Sequence, residues 1–276
     1  MKIGIRTHDL ATGSINDVLD KVKTYGFKNI QLVFKKAFFN GDKAILFSEE
    51  NARIVGEELK KRNIQVAMLG AYFNPVHSNK TLVKENIDYF KLHLKYAHLL
   101  GCKYVGSETG SFNNDKWTYN PKNRTEEGYK ETIQVFKDLV KFGEENNTIV
   151  LMEPAYGHVI YDVKCLKRAY EEINSDYLKI TIDLYNLLYI GNYKNYKSIF
   201  EEALSVFNEK IKIIHLKDFY IENDKLIQCG LGEGLIDFSF IIEIIKRYAP
   251  DSTLIFEGVT GDDIIPSKKL IESLIK

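Results

Sequence analysis

Short apolar runs alternate with longer amphipathic stretches from one end of the chain to the other. The runs are KIGIR (2–6), NIQLVF (29–34), IQVAML (64–69), KYVGSE (103–108), TIVLME (148–153), LKITID (178–183), IKIIHL (211–216) and TLIFEG (253–258). They are rich in Ile, Val and Leu and do not alternate apolar with polar residues, the pattern of strands buried on both faces. The stretches between them carry helical periodicity with start and stop signals. Ser14 caps a helix that ends at Gly26, and Ser48 opens one running to about Arg62. A third covers about 82–100, with Phe90, Leu94, Ala97 and His98 on one face and Gly101 closing it. Five more are predicted at about 126–146, 162–173, 196–208, 238–248 and 262–275, the 238–248 helix with Asp237 as its cap. Eight strand–helix units in 276 residues predict an α/β fold, a single (β/α)8 TIM barrel of parallel strands with right-handed crossovers. The rival is a doubly wound open sheet, which would place a glycine-rich turn after the first strand. RTHDLATGS has no GxGxxG. No linker, low-complexity tract or composition shift divides the chain, so residues 1–276 are assigned to one domain.

In such a barrel the C-terminal strand ends form the rim on which active sites are built. Four consecutive strands end in residues of metal-ligand type: Glu153 in TIVLMEP, Asp183 in LKITIDLYN, His215 in IKIIHLKD and Glu257 in STLIFEG. A charge on a barrel wall is costly unless it is paired or bound to metal. Taken singly, each has a structural reading as a helix cap or a partner for backbone amides. Four on successive strands predict one divalent cation. Three oxygens and one nitrogen favour Mn2+, Mg2+ or Co2+, and Zn2+ also fits.

Those residues lie in motifs that carry a resemblance: MEP at 152–154, IDLYN at 182–186, HLKD at 215–218, GLGEGLIDF at 230–238 and FEG at 256–258. Over its whole length the chain resembles the xylose isomerase-like TIM-barrel superfamily, in particular its sugar (phosphate) isomerase/epimerase branch. The resemblance implies that Glu153, Asp183, His215 and Glu257 bind the metal. It further implies that Glu153 and Glu257 move protons on opposite faces of a cis-enediolate. Chelation of a carbonyl and the neighbouring hydroxyl would acidify the C–H between them and stabilise that intermediate. Proton return to the opposite face gives epimerisation, and return to the neighbouring carbon gives aldose–ketose isomerisation. The branch also implies dimers or tetramers and a carbohydrate substrate.

Other rim residues are candidate substrate contacts: Glu108, His158, Asn186 and Lys217. Asn186 stands three residues after Asp183, where the family has His or Asn. Lys217 shares the inward face with His215, whereas Asp218 braces the following loop. Glu108 has an alternative as a structural salt bridge. His8 and His77 read as loop residues, and His93 and His98 as surface or packing histidines. Aromatics in FKKAFFNG (34–41) and AYFNPV (71–76) read as a sugar-stacking wall or as loop packing. GLGEG has glycines spaced like a phosphate cradle, but no GK[ST] follows. It is read chiefly as a turn, with phosphate as its alternative.

Charge narrows the function classes. Lys+Arg and Asp+Glu are both 38, so there is no net electrostatic footprint for nucleic acid or an anionic membrane. Cys102, Cys165 and Cys229 show no CxxC spacing and predict free thiols in a reducing compartment. The N-terminal MKIGIRTHDL is too short and too polar for a signal peptide and reads as the first strand. The expected location is the cytoplasm. Three alternatives to the epimerase or isomerase remain: an inosose-type dehydratase, an endonuclease IV-like repair enzyme and a non-catalytic sugar-binding barrel. The repair branch resembles a trinuclear zinc site with further histidines, which MLGAY, GSETG and Asn186 lack.

Overall fold

The computed structural model describes all 276 residues. Its eight strands are β1 Lys2–Arg6, β2 Asn29–Leu32, β3 Gln65–Gly70, β4 Tyr104–Glu108, β5 Ile149–Glu153, β6 Leu178–Asp183, β7 Ile211–Leu216 and β8 Thr253–Phe256. All pair in parallel, each with its neighbours in sequence, and β8 closes on β1. The principal helices are α1 Ile15–Thr24, α2 Glu49–Arg62, α3 Lys80–Tyr96, α4 Glu126–Glu145, α5 Val163–Ile173, α6 Tyr196–Phe207, α7 Phe238–Tyr248 and α8 Ile264–Ile275. The (β/α)8 barrel predicted from the hydrophobic pattern is therefore the fold.

The local signals act as the chain chemistry dictates. Ser14, Ser48 and Asp237 each accept a hydrogen bond from an amide three residues on, so one free amide of each first turn is satisfied. Gly26 and Gly101 take φ of 70° and 65° where their helices stop. The strand faces that meet the helices bury one continuous apolar layer running through Ile5, Ile30, Val105, Val150, Ile180, Ile214 and Leu254. Inside the barrel, Met68, Leu151, Ile213 and Ile255 form a separate fully buried plug. Gly106 makes room for Met68, because a Cβ there would collide with the Met68 methyl group.

Three local expectations are corrected. The second strand ends at Leu32, not at 34, and the chain turns into a short helix, Phe34–Ala37. The third helix gives way at Ala97–Leu100 to a 3-10 turn. That change of pitch takes His98 off the apolar face, and it is exposed. After β7 the sequence insert is an antiparallel hairpin, Asp218–Glu222 with Lys225–Cys229. Its turn residues Asn223 and Asp224 sit at φ of 48° and 56°, as a two-residue hairpin loop requires.

Candidate metal centre and substrate pocket

Register brings the four strand-end residues together. Asp183 lies directly opposite His215 across β6 and β7. Glu153 pairs in register with Glu108 on β4. Glu257 follows Phe256, which is level with Leu216. His215 Nδ1 stands 3.3 Å from Glu153 Oε1, 3.6 Å from Asp183 Oδ2 and 3.1 Å from Glu257 Oε2. All four residues are buried. Glu153, Asp183 and His215 form the tightest group, each offering a ligand atom within 4.8 Å of the others. Glu257 stands beside it, drawn outward by Arg6 Nη1 at 2.6 Å and Lys217 Nζ at 2.9 Å.

The hydrogen-bond accounting indicates that this cluster could hold a cation. Buried carboxylate oxygens are normally satisfied, yet Glu153 Oε2 has no hydrogen-bond partner, and Asp183 Oδ2 and Glu257 Oε2 meet only charged side chains of the cluster, Lys217 Nζ at 2.8 Å and His215 Nδ1 at 3.1 Å. The His215 ring is aimed from behind. Gln31, fully buried on β2, donates its amide to the Tyr72 hydroxyl at 2.8 Å and turns its oxygen to His215 Nε2 at 2.6 Å. With Nε2–H committed to Gln31, Nδ1 is the nitrogen left facing the carboxylates, the arrangement usual for metal-ligating histidines. Despite burial, the surrounding Glu257 and Glu153 raise the His215 pKa well above its ordinary value and so favour a second proton on the ring. A divalent cation would replace that proton. Three carboxylates and one imidazole fit Mn2+, Mg2+, Co2+ or Zn2+ alike.

The two glutamates differ in setting. Burial raises the pKa of Glu153, and nearby His215 opposes the shift. Burial pushes Glu257 the same way, but Lys217, His215 and Arg6 outweigh it and hold its carboxyl far below the usual range. Burial also pushes Glu108 well above that range, with Glu153 and Glu257 adding repulsion.

The other predicted contacts divide. Asn186 is tied to the centre: its amide donates to Glu153 Oε1 at 2.9 Å and to Glu108 Oε1 at 3.3 Å, and its oxygen accepts from Lys217 Nζ at 3.2 Å. Lys217 also reaches Asp183 Oδ2 at 2.8 Å. Glu108, His158 and Asn186 line a cavity of about 470 Å3 together with Trp117, Tyr156 and Tyr185. His158 is buried against the edge of Trp117, and that burial lowers its pKa to about 4. His8 is half-buried on the short helix after β1, with its pKa also lowered to about 4 chiefly by burial. His77 lies in a turn beside Asp115, accepting from the Asn79 amide. His93 stacks on Phe47 and is packing, not site.

Sequence reasoning missed Arg6, Gln31 and Trp117, and it read Tyr72 only as one of the rim aromatics of AYFNPV. Gln31 and Arg6 are polar residues in the apolar strands NIQLVF and KIGIR, and that anomaly is the signal that could have found them. Arg6 is held bidentately by Asp9 at 2.7 and 2.8 Å, and Asp9 in turn accepts the Gly258 amide. Two other readings are corrected. Phe34 and Phe38 pack edge-to-face in the core and are no sugar wall; the aromatic wall comes from the loops after β4, β5 and β6. The glycine-rich segment is no phosphate cradle. The amides of Gly232, Gly234 and Ile236 are spent on the carboxylate of Asp218, at 2.9, 2.9 and 3.1 Å. Gly234 is required because a Cβ there would strike that carboxylate.

No helix is long and apolar enough to cross a membrane. No curated protein sequence matches the chain. Among solved structures, a D-tagatose 3-epimerase-like protein superposes with a TM-score of 0.78 at 18% identity, covering 100% of this chain and 97% of that one. The 3-keto-D-glucoside 4-epimerase YcjR from E. coli gives 0.77 at 16%, covering 99% of each chain. The IolI protein with a bound zinc atom gives 0.74 at 16%, covering 100% and 98%. At such identities the likeness is one of fold. The family model described as xylose isomerase-like TIM barrel matches residues 19–275, and the chain belongs to that family.

Proposed function

We propose that the protein is a divalent-metal-dependent sugar epimerase or isomerase that works through a cis-enediolate, with Glu153 and Glu257 as acid and base. The observation that carries this reading is the convergence of His215 Nδ1 and three buried carboxylates, of which Glu153 Oε2 has no partner while Asp183 Oδ2 and Glu257 Oε2 meet only the charged side chains of the cluster itself. Glu153, Asp183, His215 and Glu257 would hold the ion. Bound there, it would polarise the carbonyl of a hydroxy-ketone and hold the neighbouring hydroxyl beside it.

The remaining work falls to the chain itself. Asn186 aims Glu153, and Arg6 with Lys217 aims Glu257. The strands bearing the two glutamates are separated by β6 and β7, which supports their approaching a bound sugar from different sides. A carboxylate placed at each face can take a proton and return one, with rate factors of roughly 10^2 to 10^4 for each such transfer. Lys217, held between Asp183 and Glu257, would be a cation beside the substrate oxygens. Glu108, His158 and Asn186 line the adjoining cavity and would bind substrate hydroxyls. Epimerase and zinc-bound relatives of the same fold support the class of reaction and a resident metal. Free cysteines fit a cytoplasmic location, and balanced charge fits a small-molecule partner without nucleic acid or membrane. Assembly into a dimer or tetramer goes with this reading.

A second reading, dehydration by an inosose-type lyase, shares the first proton abstraction. Glu108 favours it, as a carboxyl outside the ligand set that faces the cavity and could protonate a departing hydroxyl.

The test is metal content together with solvent-deuterium exchange on a panel of ketoses, ketose phosphates and 3-keto-glucosides. About one divalent ion per chain, with metal-dependent deuterium uptake beside a carbonyl, is the expected result. Loss of water from the sugar would select the lyase instead. A chain that takes up no metal on reconstitution would end both readings.

A further inference from the structure

We propose that the substrate reaches beyond the metal centre, and that a tyrosine-lined cavity beside it binds a second, uncharged sugar ring of a ketose disaccharide or keto-glycoside. This rests on the sugar epimerase or isomerase reading and names its substrate class.

The cavity measures about 430 Å3 and lies between the loops after β5 and β6 and the start of α5. It shares Tyr119 and Tyr156 with the cavity that contains Glu108, His158 and Asn186. The two cavities adjoin at these tyrosines, so a molecule seated over the metal centre and long enough to pass them would reach it. Each cavity alone is within the usual range of small-ligand sites.

Its lining matches a sugar ring. Tyr156 and Tyr189 stack at 3.9 Å with their planes 10° apart, and Tyr119 lies nearly parallel to Tyr156 at 6.0 Å. The stack covers one face of Tyr189 and holds its ring in place, so the aromatic surface left for a ligand belongs to Tyr189 and Tyr119 and loses little side-chain freedom on binding. Tyr119 and Tyr189 are 48% and 37% exposed, large aromatic surface left at the mouth of a cavity. Such faces take the C–H side of a pyranose, and their hydroxyl rims bond its oxygens. The hydroxyls of Tyr129 and Tyr185 are engaged with Glu172 and the Leu226 carbonyl. Those of the cavity tyrosines have no such partner.

Charge gives no preference for an anionic ligand. Arg124 is committed: it donates to the carbonyls of Tyr156 and His158 and lies over the Tyr161 ring at 3.7 Å. Its guanidinium shapes the wall and is not free for a phosphate. Asp162, Glu202 and Lys164 also line the cavity, so with Arg124 its formal charges cancel. A neutral polyhydroxylated ring finds donors and acceptors there, whereas nothing in the lining forms a cationic cradle for a phosphate.

The experiment compares metal-dependent deuterium exchange on D-fructose with that on maltulose and palatinose, and on methyl 3-keto-D-glucoside with that on a 3-keto disaccharide glycoside. Wild type and Tyr189→Ala are both assayed with Mn2+ supplied, and their oligomeric state is measured by light scattering. The two-ring member of a pair is expected to have a kcat/KM at least roughly tenfold higher, carried mainly by KM. Tyr189→Ala should collapse that ratio and Tyr189→Trp should restore it. Equal rates on one- and two-ring sugars, unmoved by Tyr189→Ala, would overturn the second-ring site and leave the sugar reading intact. A change of oligomeric state without a change in the ratio would also overturn it, by making the tyrosine face a subunit contact. Exchange on none of these sugars by metal-loaded protein would fell the sugar reading itself.

Discussion

Two aspartates at neighbouring places on the rim are both fully buried and have opposite chemistry. Asp218, just after β7, is saturated: the amides of Phe219, Gly232, Gly234 and Ile236 all donate to it. Asp183, at the end of β6, turns Oδ2 to no backbone amide but to the Lys217 ammonium at 2.8 Å and His215 Nδ1 at 3.6 Å. Burial alone does not separate them. What separates them is where their lone pairs go. A buried carboxylate whose oxygens are all met by backbone amides is part of the scaffold. One whose oxygen meets only side-chain cations, beside two other carboxylates around the same imidazole, can exchange those partners for a metal ion.

The largest expected effect tests the unsatisfied side of that comparison. Glu153→Gln and Glu257→Gln should each lower turnover by roughly 10^2- to 10^4-fold while the barrel stays folded. Deuterium exchange read beside circular dichroism separates the two effects. Near-normal exchange in either variant would remove that glutamate from proton transfer.

The saturated side should respond in the opposite way. Asp218→Ala leaves buried amides of the glycine loop without an acceptor and should cost about 3 kcal/mol or more. Denaturant unfolding would show the loss, while metal stoichiometry in the protein that remains folded should be unchanged. If Asp218→Ala loses the metal and keeps its stability, the two aspartates have been assigned the wrong way round.

Lys217 joins the two regions and sharpens the contrast. Its ammonium lies within 2.8 Å of Asp183 and 2.9 Å of Glu257, so it opposes any cation that shares those carboxylates. Lys217→Met should therefore raise Mn2+ affinity roughly tenfold in titration calorimetry. Unchanged or weaker binding would mean that Lys217 positions the ligands more than it repels the ion.

How far the chain could be read without coordinates follows the same division. Strand periodicity, serine and aspartate caps and terminal glycines are local, and they marked the eight strand–helix units. The ligand-type residues were visible because each ends its own apolar run. Gln31 was hidden because its partner His215 lies 184 positions away, and no local pattern encodes that pairing. Arg6 was hidden inside a run read only for its apolar members. The hairpin after β7 was legible in principle from the Asn-Asp pair in DFYIENDKLIQC, but the segment was read only as an insert, and GLGEG, read chiefly as a turn, kept phosphate as an alternative. Spacing of glycines does not tell whether their amides meet a ligand or a carboxylate from the same chain; only Asp218 does.

The smallest effect extends the comparison to imidazoles. His215 is surrounded by carboxylates and favours its charged form. His93 is equally buried but stacks on Phe47 at 4.0 Å, and its Nδ1 is 2.8 Å from the Tyr89 carbonyl. Burial lowers the His93 pKa from an ordinary 6.5 to about 4. The unfolded chain therefore binds the extra proton first as pH falls. The stability that neutral His93 contributes is complete above pH 6.5 and is lost as pH falls from there toward 4, with about 1 kcal/mol gone at pH 5.5. His8 and His158 share this direction, so the wild-type slope alone does not isolate His93. His93→Phe keeps the ring on Phe47 and removes the titration, and its stability should fall less steeply between pH 7 and 5.5, by that same amount, in urea unfolding. Parallel slopes for the two proteins would mean that His93 opens to solvent and charges without unfolding. In that case buried packing on this face of the barrel would be looser than the saturated carboxylate at Asp218, and the contrast between scaffold and site would need to be drawn from dynamics as well as from hydrogen bonds.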